Sequence, residues 1–425
     1  MADLLDPLID SSFKGFPHSS PALRRSQIGA QGWNVLRGDL PLPLALIRRD
    51  VMRHNLSWMQ DFAKTRGLGL APHGKTSMSP QLFRQQLDAG AWGMTVANVT
   101  QLRVAVAAGA QRCLIANQVF AAIDLQCIDD LLQSQNGLRI VFLVDSADQL
   151  GLIETWRQEH PGAQAFEVLL EIGVPGARTG CREVTQALEL AARLHASTAV
   201  RLVGVECYEG LAASGNTEHD QPYASRLMDL LASVAKACDE QDLFDSSDVL
   251  LSAGGSAIFD LVTSALRTVL GRPVQGLLRS GCYVTSDQGN YKRMMSAVAA
   301  RTGCGAGLEA AMEVWARVQS CPEPGLAILA VGKRDISYDL EMPIPLLHCR
   351  RDSTEPSAVP ADWKISALND QHAYLRGSDA QHAALQVGDL ICLGISHPCT
   401  TFDKWRWMPL VDEDYKVCDA IVTCF

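Results

Sequence analysis

Short apolar runs alternate with longer segments of helical character between residues 67 and 284. Eight of these runs are predicted strands, at 68–72, 93–97, 112–117, 139–144, 166–172, 200–207, 248–254 and 274–280. The segments between them carry helix signals, as in SPQLFRQQLDAGA, where Ser79 is a candidate N-cap and Pro80 stands at the first helical position. Strands that alternate with helices predict an α/β fold with a parallel sheet, and eight such units match the size of a (β/α)8 TIM-type barrel.

The pattern changes after residue 285, where apolar runs are separated by Pro, Gly and charged turns and few long helical patterns occur. We therefore expect a second, mostly β domain. The run LPLALIRRD at 42–50 would make a ninth strand if it belonged to the barrel, and we assign it to the β domain instead. The predicted organisation is a barrel over 48–284 and a discontinuous β domain over 1–47 and 285–425.

Composition and charge limit the kinds of molecule that this protein is expected to bind. The 425 residues include 47% hydrophobic and 20% charged residues, with a formal net charge of -10 and a pI near 5.5. A chain this acidic has no broad electrostatic attraction for nucleic acid, so we expect a small-molecule ligand. We see neither the basic patch and apolar core of a secretory signal nor an apolar run long enough to span a bilayer. Thirteen cysteines without a CxxC pair favour reduced thiols in the cytoplasm.

The stretch LAPHGKTSMSP at 70–80 places Lys75 just beyond the carboxyl end of the first predicted strand, with His73 and Gly74 before it. Active sites of such barrels lie at the carboxyl ends of the strands. A lysine held in a cleft there loses its proton more readily than one in water, as Schiff-base chemistry requires. The alternative is a solvated lysine near the start of a helix.

Two glycine turns follow the seventh and eighth predicted strands, where barrels of this type often bind phosphate. Glycines permit a close backbone approach, and amides at a helix start favour an anion, so we expect Ser256 to cap the helix after the seventh strand. The residues available in the two turns are Gly254, Gly255, Ser256, Gly281, Cys282 and Tyr283. Each turn alone is weak evidence, because strand-to-helix turns commonly use glycine for geometry. Opposite a candidate Schiff-base lysine, the pair indicates pyridoxal phosphate.

Three further side chains are candidate contacts of that cofactor. His73 stands beside the lysine, Arg178 follows the fifth predicted strand, and Tyr208 follows the sixth. Arg178 would place a positive charge near the cofactor, or it forms an ion pair on the surface. Tyr208 could stack on the cofactor or form a hydrogen bond with it.

A second group of candidate residues lies near the end of the chain, in LGISHPCTTFDKWRW at 393–407. His397 and Cys399 are two residues apart, and imidazole with thiolate is a zinc-preferring pair. Two protein ligands would leave positions for water or substrate, as a catalytic metal site requires. The alternative is a partly buried histidine beside an unrelated core cysteine. Asp403 is either a group that supports such a site or a plain surface charge.

The segments PHGKTSMSP, RTG after the fifth strand, SAGGS and above all SHPCTTFDKW resemble the D-serine dehydratase and D-threonine aldolase family. These fold-type III pyridoxal phosphate enzymes are related to bacterial alanine racemase, and the resemblance runs from about residue 40 to the C-terminus. It implies a barrel with a β domain and a homodimer. It also implies that Lys75 forms the Schiff-base linkage to the cofactor and that His397 and Cys399 hold a divalent metal.

The resemblance also implies the reaction. The aldolase branch tends to pair its histidine with aspartate, so Cys399 favours a zinc-dependent dehydratase that converts a D-3-hydroxy amino acid, D-serine first, to a keto acid (pyruvate) and ammonia. The alternatives are a retro-aldol lyase acting on D-threonine, a metal-free racemase, and a non-catalytic pyridoxal phosphate homeostasis protein. A racemase would leave HPC unexplained, and homeostasis proteins are typically single barrels. Asn98 stands where a glutamate is common in the family, which bears on the substrate.

Overall fold

The computed structural model describes residues 4–305, 307–378 and 380–425. Its strands, numbered in chain order, are β1 (Leu8–Ile9), β2 (Leu23–Arg24), β3 (Leu44–Arg48), β4 (Gly69–Leu70), β5 (Met94–Val96), β6 (Arg112–Gln118), β7 (Arg139–Val144), β8 (Phe166–Ile172), β9 (Val200–Cys207), β10 (Val249–Ala253), β11 (Val274–Leu278), β12 (Met312–Glu323), β13 (Leu326–Leu329), β14 (Ile344–Cys349), β15 (Ser357–Ala358), β16 (Lys364–Leu368), β17 (Ala373–Arg376), β18 (Leu390–Gly394), β19 (Trp407–Val411) and β20 (Val417–Val422). Its α-helices are α1 (Arg49–Thr65), α2 (Pro80–Asp88), α3 (Val99–Ala107), α4 (Ala122–Ser134), α5 (Ala147–Glu159), α6 (Val184–Ala196), α7 (Thr217–Glu240), α8 (Asn290–Thr302), α9 (Ala380–Ala383) and α10 (Cys399–Phe402). Short 3-10 helices occupy Arg25–Gln31, Gly74–Thr76, Gly210–Ala212, Ala265–Arg267 and Cys282–Val284.

Strands β4 to β11 form the predicted barrel. All their pairings are parallel, and β11 returns to pair with β4. The barrel closes between β4 and β5, where the carbonyls of Leu70 and Pro72 accept hydrogen bonds from the N–H groups of Trp92 and Thr95 at 2.7 and 2.9 Å. The (β/α)8 prediction is therefore confirmed.

The alternation of side chains along each strand explains the two sides of the barrel wall. Val141 and Leu143 of β7 point into a small interior cluster with Leu169 and other strand residues. Their neighbours Ile140 and Phe142 belong instead to the large core that includes the surrounding helices. Because both faces are apolar, the strands read as continuous apolar runs in the sequence.

The second domain is mostly antiparallel, as predicted. Strand β18 lies between β12 and β14, and β12 also pairs with β13. Strand β3 pairs antiparallel with β12 and parallel with β19, so the run at 42–50 contributes to this sheet and not to the barrel. Trp315, Trp405 and Trp407 are almost completely buried in its core.

None of the helices in the described residues is both long enough and apolar enough to cross a membrane.

Candidate active site

A cavity of about 170 Å³ lies at the carboxyl ends of the barrel strands, where the β domain approaches the barrel. Its wall combines residues from the first, third, sixth, seventh and eighth barrel strands with residues from the end of the chain. The lining residues are His73, Lys75, Thr76, Ala116, Tyr208, Gly254, Gly255, Ser256, Arg279, Gly281, Cys282, Tyr291, His397 and Cys399. The structure thus brings together every sequence-predicted site residue except Arg178 and Tyr283.

Lys75 lies in the 3-10 helix Gly74–Thr76, directly after the first barrel strand. Gly74 has no room for a side chain, because an added Cβ would lie 2.6 Å from the ring of Phe83. Thr76 is buried, whereas Lys75 is exposed and contributes to the cavity wall. The tight turn therefore presents the lysine at the opening formed by the strand ends.

His73 is half-buried beside Lys75, and its backbone N–H donates to the carbonyl of Arg279 at 3.2 Å. Burial, with the positive charges of Lys75, Arg279 and Arg178 adding to it, holds the pKa of the imidazole well below its usual value. Within the described part of the chain, Nδ1 of His73 has no hydrogen-bond partner. A neutral imidazole with an unused nitrogen is thus available to a ligand in the cavity.

The turn after β10 is shaped around a buried carboxylate. Gly254 adopts φ of 101°, in the left-handed region that favours glycine. The N–H groups of Gly254 and Gly255 donate to Glu209 at 2.9 and 2.6 Å. Glu209 is fully buried, so these two hydrogen bonds fix the turn at the edge of the cavity.

Ser256 joins this turn to the turn after β11. Its Oγ accepts hydrogen bonds from the N–H groups of Gly281 and Cys282 at 3.3 and 3.2 Å. The prediction that Ser256 caps a helix is wrong, because residues 256–264 form bends and turns and the hydroxyl is used by the neighbouring turn. A side chain at Gly281 would collide with the carbonyl of His73, so glycine allows this turn to pack closely against the turn after the first barrel strand.

Arg279 is a nearly buried cation in the cavity wall. Its guanidinium lies 2.5 Å from the carboxylate of Glu206 and donates to Ser252 Oγ at 2.8 Å and to the carbonyl of Cys207 at 3.0 Å. Burial raises the pKa of Glu206 to about 7, although the charge of Arg279 acts in the opposite direction. These contacts hold the guanidinium in one position beside the candidate phosphate turns.

Arg178 and Tyr283 lie outside the cavity wall. The exposed guanidinium of Arg178 lies 5.0 Å from the centre of the Tyr208 ring, which does line the cavity. Burial raises the pKa of Tyr208 to about 12. Tyr283 is buried behind its turn, where its hydroxyl accepts a hydrogen bond from Gln86 at 3.2 Å. Tyr283 therefore supports the turn from behind.

His397 reaches the cavity from the loop before α10. Its Nδ1 donates to the carboxylate of Asp339 at 2.5 Å, which leaves Nε2 for a ligand. A carboxylate on the second nitrogen is the usual partner of a metal-binding histidine. Burial acts to raise the pKa of Asp339, but hydrogen bonds from Thr400 and His397 keep it below its usual value. Asp403, the acid considered from the sequence, instead lies 3.5 Å from Lys404 in an ion pair.

Cys399 lies beside Cys282, with 3.6 Å between the two sulfur atoms. The hydroxyl of Thr76 lies 3.5 Å from the Cys399 sulfur and 3.6 Å from the Cys282 sulfur. The hydrogen bond between the two thiols lowers the pKa of Cys282 and raises that of Cys399. Among residues 4–305, 307–378 and 380–425, no three His, Cys, Asp or Glu side chains are gathered closely enough to hold a metal ion.

Tyr291 enters the cavity from the first turn of α8. Oδ1 of Asp287 accepts hydrogen bonds from the N–H groups of Gly289 and Tyr291 at 2.9 and 2.8 Å and so fixes this turn. The negative charge of Cys282 and burial raise the pKa of Tyr291 well above its usual value. Its phenol therefore keeps its proton at neutral pH.

Asn98 has a structural role where the resemblance leads one to expect an acid. Its side chain is exposed and accepts a hydrogen bond from the N–H of Gln101 at 2.9 Å, as the N-cap of α3. Asparagine is among the preferred residues at this position. Asn98 is not among the described residues that line the cavity.

The sequence patterns did not predict four side chains that line the cavity or hold its residues in place: Arg279, Tyr291, Asp339 and Glu209. A signal existed for Arg279, because a charged residue ends the apolar run VQGLLRS. Glu209 stood next to Tyr208 at the end of the sixth strand, where a polar residue is expected to face the site. Asp339 lies in a loop distant in sequence from His397, and no local pattern marks it.

Two domain families match the chain. The family described as alanine racemase, N-terminal domain, matches residues 47–263, which is about half of the chain. The family described as putative serine dehydratase domain matches residues 311–411. The first match covers the barrel strands except β11, and the second covers most of the domain that carries His397 and Cys399.

Individual relatives are lyases. D-threonine aldolase from Arthrobacter sp. is 26% identical over 352 residues, which cover 82% of this chain and 83% of that protein. D-threo-3-hydroxyaspartate dehydratase from Delftia sp. (strain HT23) is 32% identical over 142 residues, 33% of this chain and 36% of that protein. The solved D-threonine aldolase from Filomicrobium marinum has a TM-score of 0.75 at 23% identity, over 92% of this chain and 97% of its own, and shows the shared fold. The chain therefore belongs to the alanine racemase-like, fold-type III family of pyridoxal phosphate enzymes, in the group that carries a D-serine dehydratase-like domain.

Proposed function

We propose that the protein is a pyridoxal phosphate- and zinc-dependent dehydratase that converts a D-3-hydroxy amino acid, D-serine first, to a keto acid and ammonia. The observation that carries this proposal is the meeting of Lys75 with His397 and Cys399 in one cavity. The family supports a lyase that uses pyridoxal phosphate, and the relatives include aldolases and a dehydratase. The histidine–cysteine pair favours the dehydratase among them.

The cavity fits pyridoxal phosphate. Lys75 offers the amine for a covalent linkage, and among the described lining residues it is the one lysine. The turns at Gly254 and Gly281 border the cavity, and their amides donate to Glu209 and Ser256. Arg279 adds a fixed positive charge, and the free Nδ1 of His73 adds a hydrogen-bonding group.

The cavity also fits a divalent metal at its β-domain side. His397 presents Nε2 while Asp339 holds the other nitrogen, and Cys399 presents a sulfur. Imidazole and thiolate are ligands that zinc prefers.

Bound in this way, pyridoxal phosphate would supply an electron sink for α-proton removal, and the metal would supply a Lewis acid for the departing hydroxyl. Lys75 then acts as the base that takes the α-proton. His397 and Cys399 would hold the metal. One domain therefore supplies the base, and the other prepares the leaving group.

A racemase needs a second base on the opposite face of the substrate. The candidate phenols in the wall are Tyr208 and Tyr291, and both have a raised pKa, to about 12 for Tyr208 because of burial. Neither phenol gives up its proton readily near neutral pH, which counts against a second base in this wall.

The aldolase alternative has its own support, because the aldolase from Arthrobacter sp. matches most of the chain. A retro-aldol cleavage would use the same lysine and the same metal-holding side chains. The two reactions differ in the bond that breaks: the dehydratase releases hydroxide, and the aldolase breaks the Cα–Cβ bond. Their products therefore separate them.

The decisive experiment incubates the zinc-loaded protein separately with D-serine, L-serine and D-threonine. We expect pyruvate and ammonia from D-serine, none from L-serine, and loss of the reaction after chelation. Glycine and acetaldehyde from D-threonine, without any keto acid, would establish the aldolase instead. A visible spectrum of bound cofactor with no product from any of the three would favour a non-catalytic carrier.

Two further expectations belong to this proposal. A cytoplasmic location is supported by the cysteines, all thirteen of which are free thiols. The homodimer implied by the family resemblance stays a prediction, and light scattering of the purified protein tests it.

A further inference from the structure

Two cysteines from different domains meet in the cavity wall. Cys282 begins the 3-10 helix after the last barrel strand, and Cys399 begins α10 in the β domain. Their sulfur atoms are 3.6 Å apart, and both residues line the cavity together with His397. The proposed metal site uses Cys399 and gives the thiol of Cys282 no role.

The separation of the sulfurs is informative. Two thiolates bound to one tetrahedral zinc, each about 2.3 Å from the metal, lie roughly 3.8 Å apart. A disulfide requires about 2.05 Å between the sulfurs. At 3.6 Å, the two side chains need almost no movement to hold one metal between them.

We propose that Cys282 is a third protein ligand of the metal, so that Cys282, Cys399 and His397 form the binding set. This inference rests on the proposed function, because it extends the metal site assigned there. Three protein ligands with one open position is the arrangement of catalytic zinc sites. The open position would be available to the substrate hydroxyl.

His397 must complete the set as the metal binds, because its imidazole is not gathered with the sulfurs in the described structure. Its side chain is 22% exposed, so it is not enclosed on every side by protein. Nε2 is the nitrogen left for the metal while Nδ1 donates to Asp339.

The ligand set determines the metal. Each thiol releases one proton as its sulfur binds the ion, and no electrons are transferred. Two soft thiolates with one imidazole select zinc over manganese or magnesium, which prefer oxygen ligands. Loss of Cys282 would leave one thiolate and weaken that selection.

X-ray absorption spectroscopy of the zinc-loaded protein counts the sulfur ligands directly. We expect two sulfurs at about 2.3 Å in the unaltered protein and one in Cys282→Ser. Cys321→Ser, at an exposed cysteine on β12, is the matched control and should keep both. We also expect Cys282→Ser to lower zinc affinity by roughly tenfold or more in competition with a chelator, since even groups that only orient a ligand change affinity by 10–100-fold.

The outcomes separate this inference from the function on which it rests. One sulfur per zinc in the unaltered protein, with D-serine still converted, would overturn the role of Cys282 and leave the dehydratase standing. A protein that binds no zinc and converts D-serine without it would remove the metal from the proposed function as well. If Cys282→Ser fails to fold, the sulfur count of the unaltered protein still decides the question.

Discussion

The carboxylate of Asp339 accepts a hydrogen bond from Nδ1 of His397 at 2.5 Å and a second from the hydroxyl of Thr400 at 2.6 Å. Because a carboxylate only accepts, the proton of the imidazole must be on Nδ1, and the lone pair must be on Nε2. Asp339 thereby fixes both the tautomer and the orientation of the candidate metal ligand.

Asp339→Asn should lower metal affinity by roughly 10–100-fold, because the amide can present a donor where the imidazole needs an acceptor. Competition with a chromogenic chelator measures this change. Asp403→Asn is the control, since Asp403 is in an ion pair with Lys404. Equal affinity in the two variants would show that the contact at Asp339 does not support a metal site.

Lys75→Ala should abolish the visible absorbance of the lysine-linked cofactor and all turnover, because no other described lysine lines the cavity. The reconstituted variant should lose the cofactor on dialysis. Lys64→Ala, on the exposed last turn of α1, should behave as the unaltered protein does. Retention of the band in Lys75→Ala would place the linkage on another residue.

Gly281→Ala tests the backbone turns by adding a single methyl group. The φ of Gly281 is -113°, which alanine adopts freely, so the effect is steric and comes from a Cβ only 2.8 Å from the Thr76 hydroxyl. We expect weaker cofactor binding and a loss of roughly 1–3 kcal/mol in stability from overpacking. Gly151→Ala in α5, where an added Cβ meets nothing within 4 Å, should instead stabilise by about 0.5–1 kcal/mol. Calorimetry with and without cofactor compares the two.

Asp287 should make stability depend on pH. Burial, with the charge of Cys282 adding to it, raises the pKa of this carboxyl from 3.8 to about 7, and among the described residues its Oδ2 has no partner. Between about pH 4 and 7 the unfolded chain loses this proton while the folded chain keeps it, so stability falls as pH rises through that window.

In the unaltered protein, this carboxyl should lower the free energy of unfolding by about 2 kcal/mol as pH rises from 5.5 to 8. Asp287→Asn should remove this pH dependence. Urea unfolding of the metal-free protein at both pH values measures it. Asp61→Asn, at an exposed position on α1, should show the same pH dependence as the unaltered chain. A dependence that persists in Asp287→Asn would locate the titrating group elsewhere.

The barrel was readable from the sequence because its strands are apolar on both faces and so form uninterrupted runs. Lys75 and the two glycine turns could be placed because parallel strands bring their carboxyl ends to one side. This rule locates a residue near the site but does not give the direction of its side chain. Tyr283 shows the difference, since it follows the eighth strand as expected and still faces away from the cavity.

Contacts between the two domains could not be predicted. Cys282 was read as part of a phosphate turn and Cys399 as a metal ligand, and nothing in the spacing indicated that their sulfurs would meet. The pairing depends on how the β domain docks on the barrel, which no local pattern encodes. Asp339 could not be predicted for a different reason: it lies in the same domain as His397, but 58 residues away along the chain, and their contact arises only in the folded domain.

The position of β3 sets the order in which the molecule can be built during synthesis. Leu44, Leu46 and Ile47 are fully buried between β12 and β19, yet both neighbouring strands emerge from the ribosome long after β3 does. Domains fold largely as units while the chain grows. The barrel can therefore form first, while β3 stays unpaired until β12 and β19 have been made. The wall of the cavity is complete only after His397 and Cys399 have been added to the chain.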